Sequence, residues 1–247
     1  MPKPCLSGRV EVAKDKCALA ERAAEWLVRT ISSCQGDLHL SLSGGSTPEQ
    51  MYRLLGSEQA RVRIPWQRLE LFWGDERFVP HDSADSNYRM ARGTLLVASP
   101  VAPARVHPIP VDGTPAEAAR RYEATLKSAY GAATLDPAKP LFDIMLLGLG
   151  SDGHTCSLLP GQPVLDEREH WVAAVMSGRD EPRITLTYPA IESSRVLAFL
   201  VSGADKASAL KAVREGDQDL PAARIRTNAE VIWFVDSDAA SGLPGTM

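Results

Sequence analysis

The chain reads as an α/β protein built on a mainly parallel, doubly wound sheet with helices on both faces. Three observations predict this. Apolar runs recur at residues 69–73, 142–147, 196–201 and 230–235, each short enough for a strand and bounded by glycine, charged or small residues. Segments with apolar residues at helical spacing lie between them, so about six or seven strands alternate with helices. Finally, the run at 142–147 is nearly unbroken, as strands covered on both faces are.

Taken in order, residues 13–33 carry Ala18, Leu19, Ala23, Trp26, Leu27 and Ile31 at helical spacing and predict a long amphipathic helix, stopped by Gly36. It is the only element expected ahead of the first strand. That strand is residues 37–42, where Leu38, Leu40 and Leu42 alternate and His39 falls on the other face.

Residues 43–55, SGGSTPEQMYRLL, follow at the strand's end. Gly44 and Gly45 permit a tight turn and close approach of backbone amides to a ligand. Thr47 is suited to cap a helix, with Pro48 in its first position and Gln50 completing a capping box. A helix start with free amides attracts an anion, phosphate above all. The stretch is no P-loop, since GK[ST] is missing, and no GxGxxG occurs.

Residues 69–73 (LELFW) form the next strand and lead into Gly74, Asp75, Glu76 and Arg77. Charges at a strand's end resist burial without partners. They are either solvated loop charges or working groups, Arg77 for an anion or oxyanion and Asp75 for a proton or water. A helix follows within 82–96, capped by Asp85 or Ser86, with Tyr88, Met90, Ala91, Leu95 and Leu96 facing inward. Residues 99–115 hold five prolines and predict an extended connection containing a short strand at 105–109. Residues 116–130 predict another amphipathic helix, opened by Thr114 or Pro115 and closed by Gly131.

The central stretch is 142–161, FDIMLLGLGSDGHTCSLLPG. After the buried run, the chain turns through Gly148, Gly150 and Gly153, with Asp152 and His154 among them. Residues 155–159 read as the opening turns of a helix. An imidazole and a carboxylate thus sit at a strand's carboxyl end, where open α/β sheets bind ligands. Cys156 is a poor nucleophile candidate, because neighbours on a starting helix diverge by about 100°.

Residues 170–176 and 183–187 read as strands, 188–194 as a short helix and 196–201 as a buried strand. Asp205 and Lys206 then open a helix to Glu215, and a lysine there opposes the helix dipole unless an anion is bound. Residues 230–235 are the last strand.

Bulk properties narrow the function. A chain of 247 residues with no internal repeat or composition break is read as one domain, residues 1–247. A net charge of −4 with no basic cluster excludes a nucleic-acid partner. No run approaches the roughly 18 apolar residues of a membrane span, and residues 1–10 lack a signal-peptide core. The four cysteines at 5, 17, 34 and 156 form no CxxC pair and have no histidine at metal-ligand spacing, so a cytoplasmic protein with reduced thiols and no metal is expected.

Four segments together resemble the 6-phosphogluconolactonase family: SLSGGSTPEQMY (41–52), WGDERFVP with DSNYRMA (73–80 and 85–91), LLGLGSDGHTCSLLPG (146–161), and RITLT with VSGADKA (183–187 and 201–207). With EVIWFVDSDAA (230–240) the match runs from about residue 38 onward. Cys156 and Leu159 depart from the family's usual alanine and phenylalanine. The resemblance implies a Rossmann-type sheet shared with glucosamine-6-phosphate deaminase, and hydrolysis of 6-phospho-D-glucono-1,5-lactone without cofactor. It implies His154 as the catalytic residue, Ser43, Gly44, Gly45, Ser46 and Thr47 around the phosphate with Lys206, and Arg77 by the substrate. Gly153 and Arg183 fall inside the matched motifs and join the substrate-binding candidates. Either Asp152 or Asp75 orients the imidazole or the attacking water. The partner implied is a small sugar-phosphate lactone, and the protein a monomer or small homo-oligomer.

Two other readings compete. A deaminase of the same fold carries a glutamate five residues after that histidine, where this chain has Leu159. A sugar-phosphate-sensing domain keeps the phosphate loop but loses the catalytic residues, whereas His154, Asp75 and Arg77 are all present.

Overall fold

The computed structural model describes residues 6–244; Cys5 and the first half of the N-terminal stretch read for targeting lie outside them. Six parallel strands make the main sheet. In chain order they are β1 (Arg9–Ala13), β2 (Leu38–Leu42), β3 (Leu69–Trp73), then, after a short strand β4 (Asp75–Arg77) outside it, β5 (Phe142–Leu147). Two more outsiders, β6 (Val172–Val175) and β7 (Arg183–Leu186), precede β8 (Ser194–Val201) and β9 (Glu230–Asp236). The order across the sheet is β1-β9-β8-β5-β2-β3. From β2 the chain steps outward to β3, then returns to the other side of β2 with β5. The direction of winding therefore reverses between β2 and β5, and the loops leaving these strands splay apart to open a crevice.

Helices cover the sheet: α1 (Lys16–Ser33), α2 (Ser46–Leu55), α3 (Glu58–Arg61), α4 (Asn87–Thr94), α5 (Pro115–Tyr130), α6 (Tyr188–Glu192), α7 (Ala207–Glu215) and α8 (Ser237–Ala240). α1 starts where Asp15 accepts from the Ala18 amide. α5 has the capping box of Thr114 and Glu117 and ends on Gly131 at φ 79°, the left-handed turn that glycine adopts without cost. Phe142, Ile144, Met145, Leu146 and Leu147 of β5 are all buried, and each contributes about 1.5–3 kcal/mol. None of the helices in the described residues is long and apolar enough to cross a membrane.

Several expectations are corrected. A strand, β1, precedes α1 and pairs with β9, so the long helix is not the only early element. Asp75–Arg77 are not loop charges. They form β4, which pairs antiparallel with β7, itself antiparallel to β6, in a second, three-stranded sheet. At 105–109 there is no strand, only a single bridge between Leu71 and Val106. Residues 155–159 form no helix; Thr155 and Leu158 close a tight turn instead. The connection from β5 to β8 thus runs through the small sheet and α6. Ser86, not Asp85, caps α4 through the Arg89 amide.

Candidate functional site

The loops after β2 and β5 line one crevice of about 270 Å³. Ser43–Thr47 form one wall and Gly148–Gly150 with His154–Cys156 another; Asp75, Arg77, Asn87, Arg183, Ser202 and Lys206 are among the other residues that line it. Two stretches more than a hundred residues apart therefore face the same space.

The first wall is held by Tyr52 of α2, whose buried hydroxyl accepts from the Ser43 amide and donates to the Ser43 carbonyl, 2.9 Å each. Gly44 passes so close to Asn87 that a Cβ there would lie 2.0 Å from Oδ1. α2 begins at Ser46 with Gly45 as its cap and no side chain on its amides. The expected capping box of Thr47 and Gln50 is absent; Gln50 donates to Cys17 Sγ instead. The uncapped amides and the positive end of the dipole are left for a ligand, beside the hydroxyl-bearing Ser43, Ser46 and Thr47. Lys16 Nζ donates to Ser46 Oγ at 2.7 Å. Lys206 pairs with Asp205 at 2.8 Å.

On the opposite side Arg77 of β4 and Arg183 of β7 are register partners. The Nε atoms of both are buried without a hydrogen-bond partner. Arg77 Nη1 donates to the Asp85 carbonyl, and Arg183 has a long contact of 3.8 Å to Glu181. Burial, then the charge of Arg77, push the Arg183 pKa down. Two adjacent cations with unmet donors form a site that an anion would relieve.

Glu76, between Asp75 and Arg77 in β4, is 1% exposed. Its carboxylate accepts from the amides of Arg77, Asn87 and Tyr88 and from Ser86 Oγ. Burial pushes its pKa up, against the pull of those hydrogen bonds. Glu76 thereby ties β4 to the start of α4. Asp75 accepts from Ser157 Oγ at 2.6 Å and faces Asn87 Nδ2 at 3.4 Å.

His154 is held by Asp152, Nδ1 to Oδ1 at 2.5 Å. A carboxylate can only accept, so Nδ1 carries a proton, and in the neutral ring the lone pair is on Nε2. Among the described residues Nε2 has no hydrogen-bond partner. The other carboxylate oxygen accepts from Arg179 Nη2 at 2.7 Å. Burial works to raise the Asp152 pKa, but the hydrogen bonds from Arg179 and His154 outweigh it and hold it at about 2. Gly150 makes room: a Cβ there would lie 2.1 Å from His154 Nδ1.

Of the residues singled out in sequence, Ser43, Gly44, Gly45, Ser46, Thr47, Asp75, Arg77, His154, Arg183 and Lys206 line the crevice. Asp152 stands behind His154. Gly153 does not line it; with φ 75° it packs on Leu220, and its carbonyl accepts from the Ala222 amide. The Cys156 sulfur points inward, 3.0 Å from where a Gly74 Cβ would be. Burial and the neighbouring Asp75 push its thiol well above the usual range, which removes the thiolate a nucleophile needs. Leu159 is buried at 2% exposure. No group of three or more His, Cys, Asp or Glu among the described residues is arranged to hold a metal.

Sequence reasoning missed Glu76, Asn87, Ser157, Arg179 and Lys16 as parts of the site. Each acts through a partner at least ten residues away, so no local pattern marks them. A buried charge among strand residues, as at Glu76, was the one available signal.

A family model described as glucosamine-6-phosphate isomerases/6-phosphogluconolactonase matches residues 14–233. A 6-phosphogluconolactonase from Synechocystis sp. is 37% identical over 245 residues, covering 96% of this chain and 99% of that protein. The solved structure of 6-phosphogluconolactonase from Trypanosoma cruzi superposes with a TM-score of 0.85 at 28% identity, covering 97% of this chain and 98% of the other. A monomeric glucosamine-6-phosphate deaminase has a TM-score of 0.77 at 24% identity, covering 95% of this chain and 99% of the other, a likeness that shows the fold alone.

Proposed function

The chain belongs to the glucosamine-6-phosphate isomerase/6-phosphogluconolactonase family, and from that premise we propose that it hydrolyses 6-phospho-D-glucono-1,5-lactone to 6-phosphogluconate, in the oxidative branch of the pentose phosphate pathway. The observation that carries this reading is an imidazole with a free Nε2, backed by a carboxylate, in the same crevice as an uncapped helix start and two arginines with unmet donors.

A δ-lactone is an activated ester, so water can attack it without a covalent intermediate. Nε2 of His154 takes a proton from the water as its oxygen bonds to C1. Asp152 steadies the imidazolium that forms. The tetrahedral oxyanion then collapses, the bond from C1 to the ring oxygen breaks, and His154 returns its proton to the departing alkoxide. Positive potential from Arg77, Arg183 and the loop amides favours the oxyanion and the phosphate alike. Ser43–Thr47 and Lys206 grip the phosphate, and that remote binding fixes C1 near His154.

In this reading the chain works as one domain in the cytoplasm, as a monomer or small homo-oligomer. Its partner is a free metabolite rather than nucleic acid or membrane. Freshly generated lactone, assayed with a coupled dehydrogenase above spontaneous hydrolysis, tests it: wild type must exceed background and H154A must not. Ammonia released from glucosamine 6-phosphate at a comparable rate would instead favour a deaminase, for which the apolar Leu159 offers no acid.

A further inference from the structure

We propose that Arg179, in the turn between β6 and β7, is a positioning residue for this reaction: it pins one oxygen of Asp152 so that the other stays on His154 Nδ1. The proposal rests on the functional reading above.

The geometry is a chain of three groups. Arg179 Nη2 lies 2.7 Å from Asp152 Oδ2, and Asp152 Oδ1 lies 2.5 Å from His154 Nδ1. Arg179 Nη2 also lies 3.5 Å from Nδ1, but that nitrogen already carries its proton, so the guanidinium's target is the carboxylate. Arg179 is aimed by its own turn. Its Nη1 donates to the Gly178 carbonyl at 2.8 Å. Gly178 has φ 90°, a conformation that favours glycine, and the preceding Ser177 Oγ donates to Gln162 Oε1 at 2.8 Å. The small sheet thereby delivers a cation to the back of the catalytic pair, which belongs to a loop of the main sheet.

A partly exposed ion pair contributes little to stability on its own. This one acts on a carboxylate whose Oδ1 is otherwise held only by His154 itself, through Nδ1 and, at a longer 3.2 Å, the backbone amide, so its plane keeps some freedom to turn about the Cβ–Cγ bond. A second contact at the far oxygen removes that freedom and keeps the group ionised. Fixing a catalytic base in this way shows in kcat, since no contact with the substrate is made or lost. A merely structural tie between two loops would lower stability and leave the imidazole as it was.

The test compares R179A, R179K and H154A with wild type by coupled assay, thermal denaturation and ¹⁵N-imidazole NMR of His154. The expected result is that R179A lowers kcat about 10-fold or more with KM within about 2-fold. R179K, which restores one donor, recovers a large part of the loss, and the ¹⁵N shifts of R179A report a smaller fraction of the Nδ1–H form. Unchanged kcat in R179A overturns the proposal, as does a loss matched by lower thermal stability with wild-type imidazole shifts. If H154A itself keeps full turnover, the functional reading fails; if H154A is inactive while R179A is wild-type, only the role of Arg179 fails.

Discussion

Oδ1 of Asp152 lies 2.5 Å from Nδ1 of His154, two residues further along one glycine turn. The pair needs no distant chain segment to meet, because the turn at Gly150 and Gly153 folds the ring back over its own backbone. That contact sets which ring nitrogen is basic, and the lone pair is left on Nε2.

Removing either member should therefore appear in turnover. H154A is expected to lower kcat by on the order of 10²–10⁴, with KM little changed. D152N should lower it by about 10-fold or more, because an amide can donate to Nδ1 and favour the wrong tautomer. Steady-state kinetics on fresh lactone check both.

The same contact has a pH signature in stability. The Asp152 pKa falls from its ordinary 3.8 to about 2 in the folded protein. A depressed carboxylate stabilises the fold above its unfolded value, and this contribution is lost as pH falls through the folded one. Wild type should thus exceed D152N in stability above about pH 4, and the gap should close between about pH 4 and 2. Urea denaturation of both proteins across that range measures it.

Gly150 is predicted to be irreplaceable for activity. A Cβ there would meet His154 Nδ1 at 2.1 Å and Asp152 Oδ1 at 2.5 Å, so G150A must displace the His154–Asp152 pair. Its kcat should drop by about 10-fold or more. G161A is the control: Gly161 has φ 71° and open space around it, so alanine should cost about 1 kcal/mol of stability and leave kcat unchanged.

Arg183 should matter for binding as well as for chemistry. It faces Arg77 with a buried, unpartnered Nε, so R183M removes a repulsion and should be at least as stable as wild type without anion. Its KM should rise roughly 10- to 100-fold, the worth of a charged hydrogen bond. Inorganic phosphate should raise the Tm of wild type by binding the folded state, and do so much less for R183M. Thermal scans over a phosphate series decide it.

Glu76 is predicted to be structural. E76A would strand the amides of Arg77, Asn87 and Tyr88 and should cost about 3 kcal/mol or more in urea denaturation. E76Q, which keeps one acceptor oxygen, should cost less.

Local signals were legible in the sequence. The apolar run of β5 announced a buried strand, Thr114 and Gly131 marked both ends of α5, and the glycine turns marked the two strand ends that meet at the crevice. β1 escaped notice because it lies at the sheet's edge and is mostly half-covered, so its apolar pattern is short. The helix expected at 155–159 failed because that turn is closed by long-range contacts, Ser157 to Asp75 and to Thr185.

By itself, then, the sequence determined the alternation of strands and helices, the family, and which chemical groups stand at strand ends, since all of these depend on neighbours in the chain. Only the tertiary structure decided that Asp75 is taken by Ser157 rather than by His154, that Arg77 and Arg183 stand side by side, and that Arg179 reaches Asp152. Those choices depend on antiparallel register and side-chain direction between segments tens of residues apart. Packing of the whole chain sets both, and no local pattern encodes them.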